Sequence, residues 1–250
     1  MKFRTLLTGA LLATTVSFTA SAFELEAMTD EERTAFQAEI RAYLLENPEV
    51  IMEAVAVLEQ RQADSQSQND ATLLQVNADA IFDDGFSYIG GNPEGDITLV
   101  EFLDYRCGYC RRAHPEVSEL VASDGNIRLI IKEYPILGEQ SVLASRFTVA
   151  VKQLAGDEAY KRASDAIMEM RGDVSETFLS TLAVELGLET TAVFDRMESD
   201  EVTAVLQETR ALAQRLQISG TPSFIMEDEM LRGYLPLEAM RQLVEQQREG

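Results

Sequence analysis

Residues 97–110 read ITLVEFLDYRCGYC. The first seven are almost continuously apolar and rich in β-branched side chains, which predicts a strand buried on both faces inside a sheet. One acid, Glu101, interrupts the run. Helical spacing begins around Cys107 and continues to about Ala122. A buried strand that runs into a helix with CxxC at its start (Cys107, Gly108, Tyr109, Cys110) is the pattern of a redox-active dithiol.

Working outward, residues 127–134 (IRLIIKEY) form a second buried-strand candidate, again with a charge inside, Lys132. Strand, helix, strand implies a parallel crossover. Residues 141–216 carry helical spacing throughout, punctuated by Gly156, Gly172 and Gly187. Gly220-Thr221-Pro222 breaks that pattern. Residues 223–227 and 230–234 then read as a hairpin with Asp228 and Glu229 in its turn, and Pro236 opens a last helix. Upstream, residues 86–89 suggest a short strand before a Gly-Gly-Asn-Pro turn. The fold class is therefore α/β, with a helical block set into a mixed sheet.

The N-terminal part has a different character. Residues 29–45 predict a helix that opens with a capping box, Thr29 and Glu32, and carries Phe36, Ile40, Tyr43 and Leu44 at helical spacing. Asn47 as cap and Pro48 at the first helical position predict a second helix with Val50, Ile51, Ala54, Val55 and Leu58 on one face. The polar stretch 61–70 is either an exposed helix or a flexible linker. Two short amphipathic helices cannot bury their own faces, so they dock on the same chain or on copies of it. The polar stretch that sets them apart favours a homo-oligomer.

The first residues read as an export signal: Lys2 and Arg4, an uncharged apolar run, then Ala20-Ser21-Ala22 as a cleavage pattern. The expected layout is a signal at 1–22, an N-terminal helical segment and linker at 23–78, and the main domain at 79–250 with its insertion at about 139–216. Export leads to a compartment that permits disulfides. A bridge between Cys107 and Cys110 would close so small a loop that it restrains the unfolded chain little, which favours reactivity over stapling. The net charge of −22 makes nucleic acid and anionic lipid poor partners. With one histidine, His114, a two-histidine metal site within one chain is excluded. The two thiols could hold Cu(I) linearly or supply half of a shared zinc site. Met226 and Met230 are soft ligands for that purpose or ordinary core filler. A periplasmic Cu(I) carrier is thus the alternative to a dithiol enzyme, and the enzyme reading needs no cofactor.

Cysteine does redox work as the thiolate, and a helix N-terminus favours negative charge. Cys107 is therefore the expected nucleophile. Cys110, one turn on and more buried, resolves the mixed disulfide. Gly108 leaves the backbone open to an approaching sulfur, and Tyr109 is one of the two residues that tune the couple. Glu101 is expensive inside a buried strand, which makes it a candidate proton acceptor for Cys110, unless it lies at an edge and reaches water. Lys132 either pairs with Glu101 or snorkels to solvent. His114 lies on the cysteine face of the helix, as a cation near the thiolate or, more in keeping with the Pro115 that follows, as a structural residue.

Three segments carry a family resemblance: EFLDYRCGYC at 101–110, IIKEYPIL at 130–137 and GTPSFIM at 220–226. Together they resemble the thioredoxin-fold disulfide oxidoreductases of the DsbA/DsbC type, from about residue 86 to the C-terminus. The resemblance implies a thioredoxin fold with an inserted helical domain and a cis peptide at Thr221-Pro222. The loop at that peptide would bind a client's backbone beside Cys107. It also places Glu101 at the buried-acid position and Lys132 as its partner. LLENPEVIMEAVAVLEQ, at 44–60, is similar to the N-terminal segment of the suppressor-of-copper-sensitivity protein C and Com1-like subgroup, where such a segment can drive oligomerisation. Gly108-Tyr109 is like the dipeptide of the isomerases, whereas strong oxidases carry Pro-His. The resemblance implies unfolded or misoxidised exported proteins as clients, a membrane redox partner that resets the pair, and a couple of isomerase, reductase or mild-oxidase type.

Overall fold

A computed structural model describes residues 28–249; the expected export signal lies outside them. The chain divides into two compact units between Gln60 and Arg61.

The smaller unit holds α1 (Asp30–Glu46) and the first part of α2 (Glu49–Val76). Thr29 caps α1 through the expected box. Its Oγ1 accepts from the Glu32 amide at 3.3 Å, and its own amide donates to the Glu32 carboxylate at 2.9 Å. Asn47 departs from expectation, closing α1 instead of capping α2. Its backbone N–H and its Nδ2 both donate to the Tyr43 carbonyl, at 2.8 and 2.9 Å, and so satisfy an acceptor the helix end leaves free. No residue of α1 is buried. Ile40, Tyr43 and Leu45 on α1, and Ile51, Met52 and Leu58 on α2, are all exposed.

The larger unit is built on one sheet: β1 (Tyr88–Gly91), β2 (Ile97–Leu103), β3 (Ile127–Glu133), β4 (Ser223–Met226) and β5 (Glu229–Arg232), in the order β1-β3-β2-β4-β5. β2 and β3 are parallel and joined by α4 (Gly108–Asp124); the other pairs are antiparallel. The expected insertion lies between β3 and β4 as α5 (Glu139–Glu169), α6 (Glu176–Glu185), α7 (Thr190–Met197) and α8 (Asp200–Arg215). A short α3 (Ala78–Phe82) precedes β1, and α9 (Leu237–Glu249) closes the unit.

The polar stretch 61–70 is helical, part of α2, and belongs to this larger unit. Its last residue and one residue beyond it anchor it. Asp70 is buried and accepts from Arg232 of β5 at 2.8 Å, and Leu74 packs with Ile81, Val100 and Phe102. The larger unit therefore starts earlier than the expected boundary at 78. The closing hairpin is also tighter than expected. Met226 pairs with Glu229, which leaves Glu227 and Asp228 as its loop, with Glu227 at φ 51°.

Side chains alternate across β2. Leu99 and Leu103 join the core cluster that includes Cys110, Val117 and Leu120 of α4, and Glu101 shares their face by parity. Val100 and Phe102 point to the other face, against Ile81, Leu212 and Leu216. Each fully buried side chain of this kind contributes roughly 1.5–3 kcal/mol. The alternation also decides which charged residues can meet.

Candidate active site

The helix α4 begins at the motif. Cys107 is its N-cap, with φ −72° and ψ 117°, and its carbonyl accepts from the Arg111 amide at 3.0 Å. Both cysteines are free thiols. Cys107 is 8% exposed and Cys110 fully enclosed at 0%, so of the two residues only Cys107 reaches the surface. The Thr221-Pro222 peptide is cis, as the resemblance implied, and the Thr221 carbonyl accepts from the Cys107 Sγ at 3.0 Å. Gly108 is open, with nothing within 4 Å of where a Cβ would stand. Tyr109 is exposed, its ring 6.2 Å from that of Tyr234, and the Arg112 guanidinium lies 4.5 Å over Tyr234. Tyr109, Tyr234 and Arg112 thus form an aromatic and cationic platform that begins within the CxxC motif.

Burial pushes the Cys110 thiol up first, and the charge of Glu101 second; the Asp104 backbone and the Thr221 side chain act the other way by hydrogen bonding. Glu101 is 2% exposed, and its Oε1 has no hydrogen-bond partner among the described residues. Desolvation, then repulsion by Glu133, raises its carboxyl to about 8. The edge reading of Glu101 is therefore displaced by the buried one.

Lys132 does not pair with Glu101. In the parallel register Glu101 lies opposite Ile131, and Lys132 lies opposite Phe102, so the lysine points to the other face. There its Nζ binds Asp84 at 2.5 Å and the Ala80 carbonyl at 2.9 Å. The pair is buried, with side chains 1% and 9% exposed, so the lysine does not snorkel. His114 is the structural residue: its Nε2 meets Asp165 at 2.9 Å and ties α4 to α5.

Two acids at the site carried no signal in the sequence reading. Asp104, fully buried, accepts from the amides of Arg106, Ile136 and Leu137 at 2.8, 2.7 and 2.9 Å and from Ser141 Oγ at 2.7 Å. It holds the loop before Cys107 against the segment after β3. Glu133, 3% exposed, shares the face of Glu101. Glu133 ends β3 and Asp104 directly follows β2, positions where an acid ordinarily reaches water; only the hydroxyls and amides that converge on them reveal the burial.

A parallel βαβ core, a cis-proline loop facing a CxxC helix start and a helical insertion define a thioredoxin-fold dithiol protein of the disulfide-exchange type. The DSBA-like thioredoxin domain matches residues 98–245, and the chain belongs to that family of thiol–disulfide oxidoreductases. The copper resistance protein ScsC N-terminal domain matches residues 32–64, which places the chain in the ScsC-like subgroup. Among solved structures, it is similar to a thioredoxin-like oxidoreductase from Silicibacter pomeroyi DSS-3: 43% identical, covering 70% of this chain and 99% of that one, TM-score 0.65. It is also similar to the thiol-disulfide exchange protein α-DsbA2 of Wolbachia pipientis, at 26% identity over 73% and 98% of the chains, TM-score 0.68. BcfH of Salmonella enterica Typhimurium is 26% identical over 88% and 97%, TM-score 0.72. A curated Na(+)/H(+) antiporter NhaA 1 of Salinispora arenicola is 25% identical over 154 residues; the match takes in 61% of this chain and 23% of the antiporter.

Proposed function

We propose that the protein is a periplasmic thiol–disulfide exchanger whose reactive pair is Cys107 and Cys110. The Cys107 Sγ at a helix start, 3.0 Å from the Thr221 carbonyl and backed by an enclosed Cys110, carries this reading. Cys107 attacks a client disulfide; one client sulfur joins it and the other leaves with its electron pair. Cys110 then attacks Cys107, its proton passes to Glu101, and the second client sulfur departs as thiolate. The client disulfide has been reduced and the dithiol oxidised. Run in reverse, the client thiol attacks Cys107, Cys110 leaves, and Glu101 returns the proton. The Thr221-Pro222 loop offers its carbonyl to client backbone, while Tyr109 with Gly108 bounds the approach.

Gly108-Tyr109 and the exposed apolar residues of α1 and α2 favour an oligomeric isomerase or reductase, or a mild oxidase, acting on unfolded or misoxidised exported proteins. A membrane redox partner resets the pair, and the signal at 1–22, with its basic start, apolar run and cleavage pattern, directs the chain out of the cytoplasm. The test is insulin reduction and scrambled-ribonuclease rescue by Cys107→Ser. Both activities are expected to vanish; full activity in that variant ends the proposal.

A further inference from the structure

A second carboxylate lies behind the first. The last residue of β3, Glu133, sits two positions past Ile131, the residue opposite Glu101, so both acids occupy one face of adjacent strands. Their surroundings differ. Glu101 Oε1 has no partner. Glu133 is surrounded by hydroxyls. Tyr105 Oη, Thr148 Oγ1 and Tyr160 Oη donate to its Oε1 at 2.8, 2.8 and 2.5 Å, and Ser145 Oγ donates to its Oε2 at 2.7 Å. Tyr105 also reaches Ser164 at 3.1 Å, and Tyr160 stacks on Tyr88. Four O–H donors on two oxygens match the acceptor capacity of an ionised carboxylate. Among the described residues no such donors serve Glu101.

We infer that Glu133 is a positioning residue for disulfide exchange: a buried anion, held by four hydroxyls, that keeps the proton on Glu101 and so sets the pH at which Glu101 accepts the proton of Cys110. The inference rests on Glu101 being that acceptor. Two like charges on neighbouring strands cannot both be cheap in a buried core, and the one with donors wins the charge. Burial leaves the Glu133 carboxyl raised above its ordinary value, and Ser145, Tyr160, Tyr105 and Thr148 each pull it back toward the charged form, donors that Glu101 lacks.

The groups that face the pair are few. α4 brings Cys107 and Cys110, and its His114 is occupied by Asp165 of α5, as is Lys161. α5 brings Tyr160, and β1 brings Tyr88. β4 offers Phe224 opposite Glu101, and α9 contributes the apolar Met240 and Val244. Lys132 and Asp84 lie on the far face, so no cation neutralises either acid from within the sheet.

The consequence is a system poised against its own proton acceptor. At neutral pH Glu101 is mostly protonated, ready to donate to a departing Cys110 and slow to accept from an attacking one. Removing the Glu133 charge evens that balance, so the variant resolves mixed disulfides faster than the natural protein at pH 7, an outcome that damage to the fold does not produce.

The test uses an aromatic disulfide whose released thiol absorbs visible light. Cys107 attack gives a first release and Cys110 resolution a second; the rate of the second is followed against pH. In the natural protein it should inflect near about 8. Glu133→Gln should lower that inflection by about one pH unit and speed the second phase about fivefold at pH 7. Tyr160→Phe, which strips one donor from the same carboxylate and leaves the cage otherwise whole, should move it the same way by a smaller step. Glu101→Gln should abolish the inflection, and the Glu101→Gln, Glu133→Gln double variant should match it. An inflection unmoved or raised in Glu133→Gln and Tyr160→Phe, yet abolished in Glu101→Gln, overturns the role of Glu133 alone. An inflection that survives Glu101→Gln overturns the proton-acceptor reading itself.

Discussion

Replacing Glu101 with Gln should stabilise the protein, and increasingly so as pH rises. The carboxyl is 2% exposed, and burial with repulsion from Glu133 lifts it from 4.5 to about 8. The unfolded chain gives up that proton near the ordinary value, whereas the folded chain keeps it until about 8. Across that window the unfolded state binds fewer protons, so stability falls as pH rises. Each pH unit removes about 1.4 kcal/mol. The deficit is negligible below about pH 4.5, about 3 kcal/mol at pH 7 and up to about 5 kcal/mol above pH 8. Gln has the shape of the protonated acid and no charge to desolvate, so it escapes the deficit. Urea unfolding of both reduced proteins at about pH 5, 7 and 9 measures the gap as a difference in midpoint at constant slope. The gap should open with pH. Parallel stability curves, or a variant less stable by the same amount at every pH, would refute the claim that Glu101 is buried without a charge partner.

Two further outcomes follow from the geometry. Lys132→Met leaves Asp84 buried without its cation, so urea unfolding should show a loss of roughly 3–5 kcal/mol, with the exchange rate of the folded fraction unchanged. A selective loss of exchange would return Lys132 to the site. Tyr43→Glu with Leu58→Glu puts charge onto the exposed apolar helices of the smaller unit; light scattering should show the mass of an oligomer fall to that of one chain, and a natural protein already monomeric would contradict self-association.

The parts of this molecule set by local chemistry were legible in its sequence. The apolar run of β2, the helix start at Cys107, the helical insertion and the break at Thr221-Pro222 all lie where pattern and punctuation put them. Register was not legible. Glu101 and Lys132 both interrupt buried strands, and only the pairing of Glu101 with Ile131 shows that they point to opposite faces. Resemblance assigned the lysine a partner that parity denies it. Glu133 and Asp104 were hidden for a related reason: the hydroxyls and amides that satisfy them come from residues 105, 106, 136, 137, 141, 145, 148 and 160, which no local window holds together. Asn47 followed its type as a capping residue but served the helix before it.

The division of labour between the two sulfurs is tested most directly by trapping. Cys110→Ala should accumulate a mixed disulfide at Cys107 with a disulfide-bonded client, resolved by mass spectrometry, while Cys107→Ala should accumulate none because Cys110 is enclosed. Equal trapping by the two variants, or no adduct from Cys110→Ala, would contradict the assignment of Cys107 as the attacking thiol.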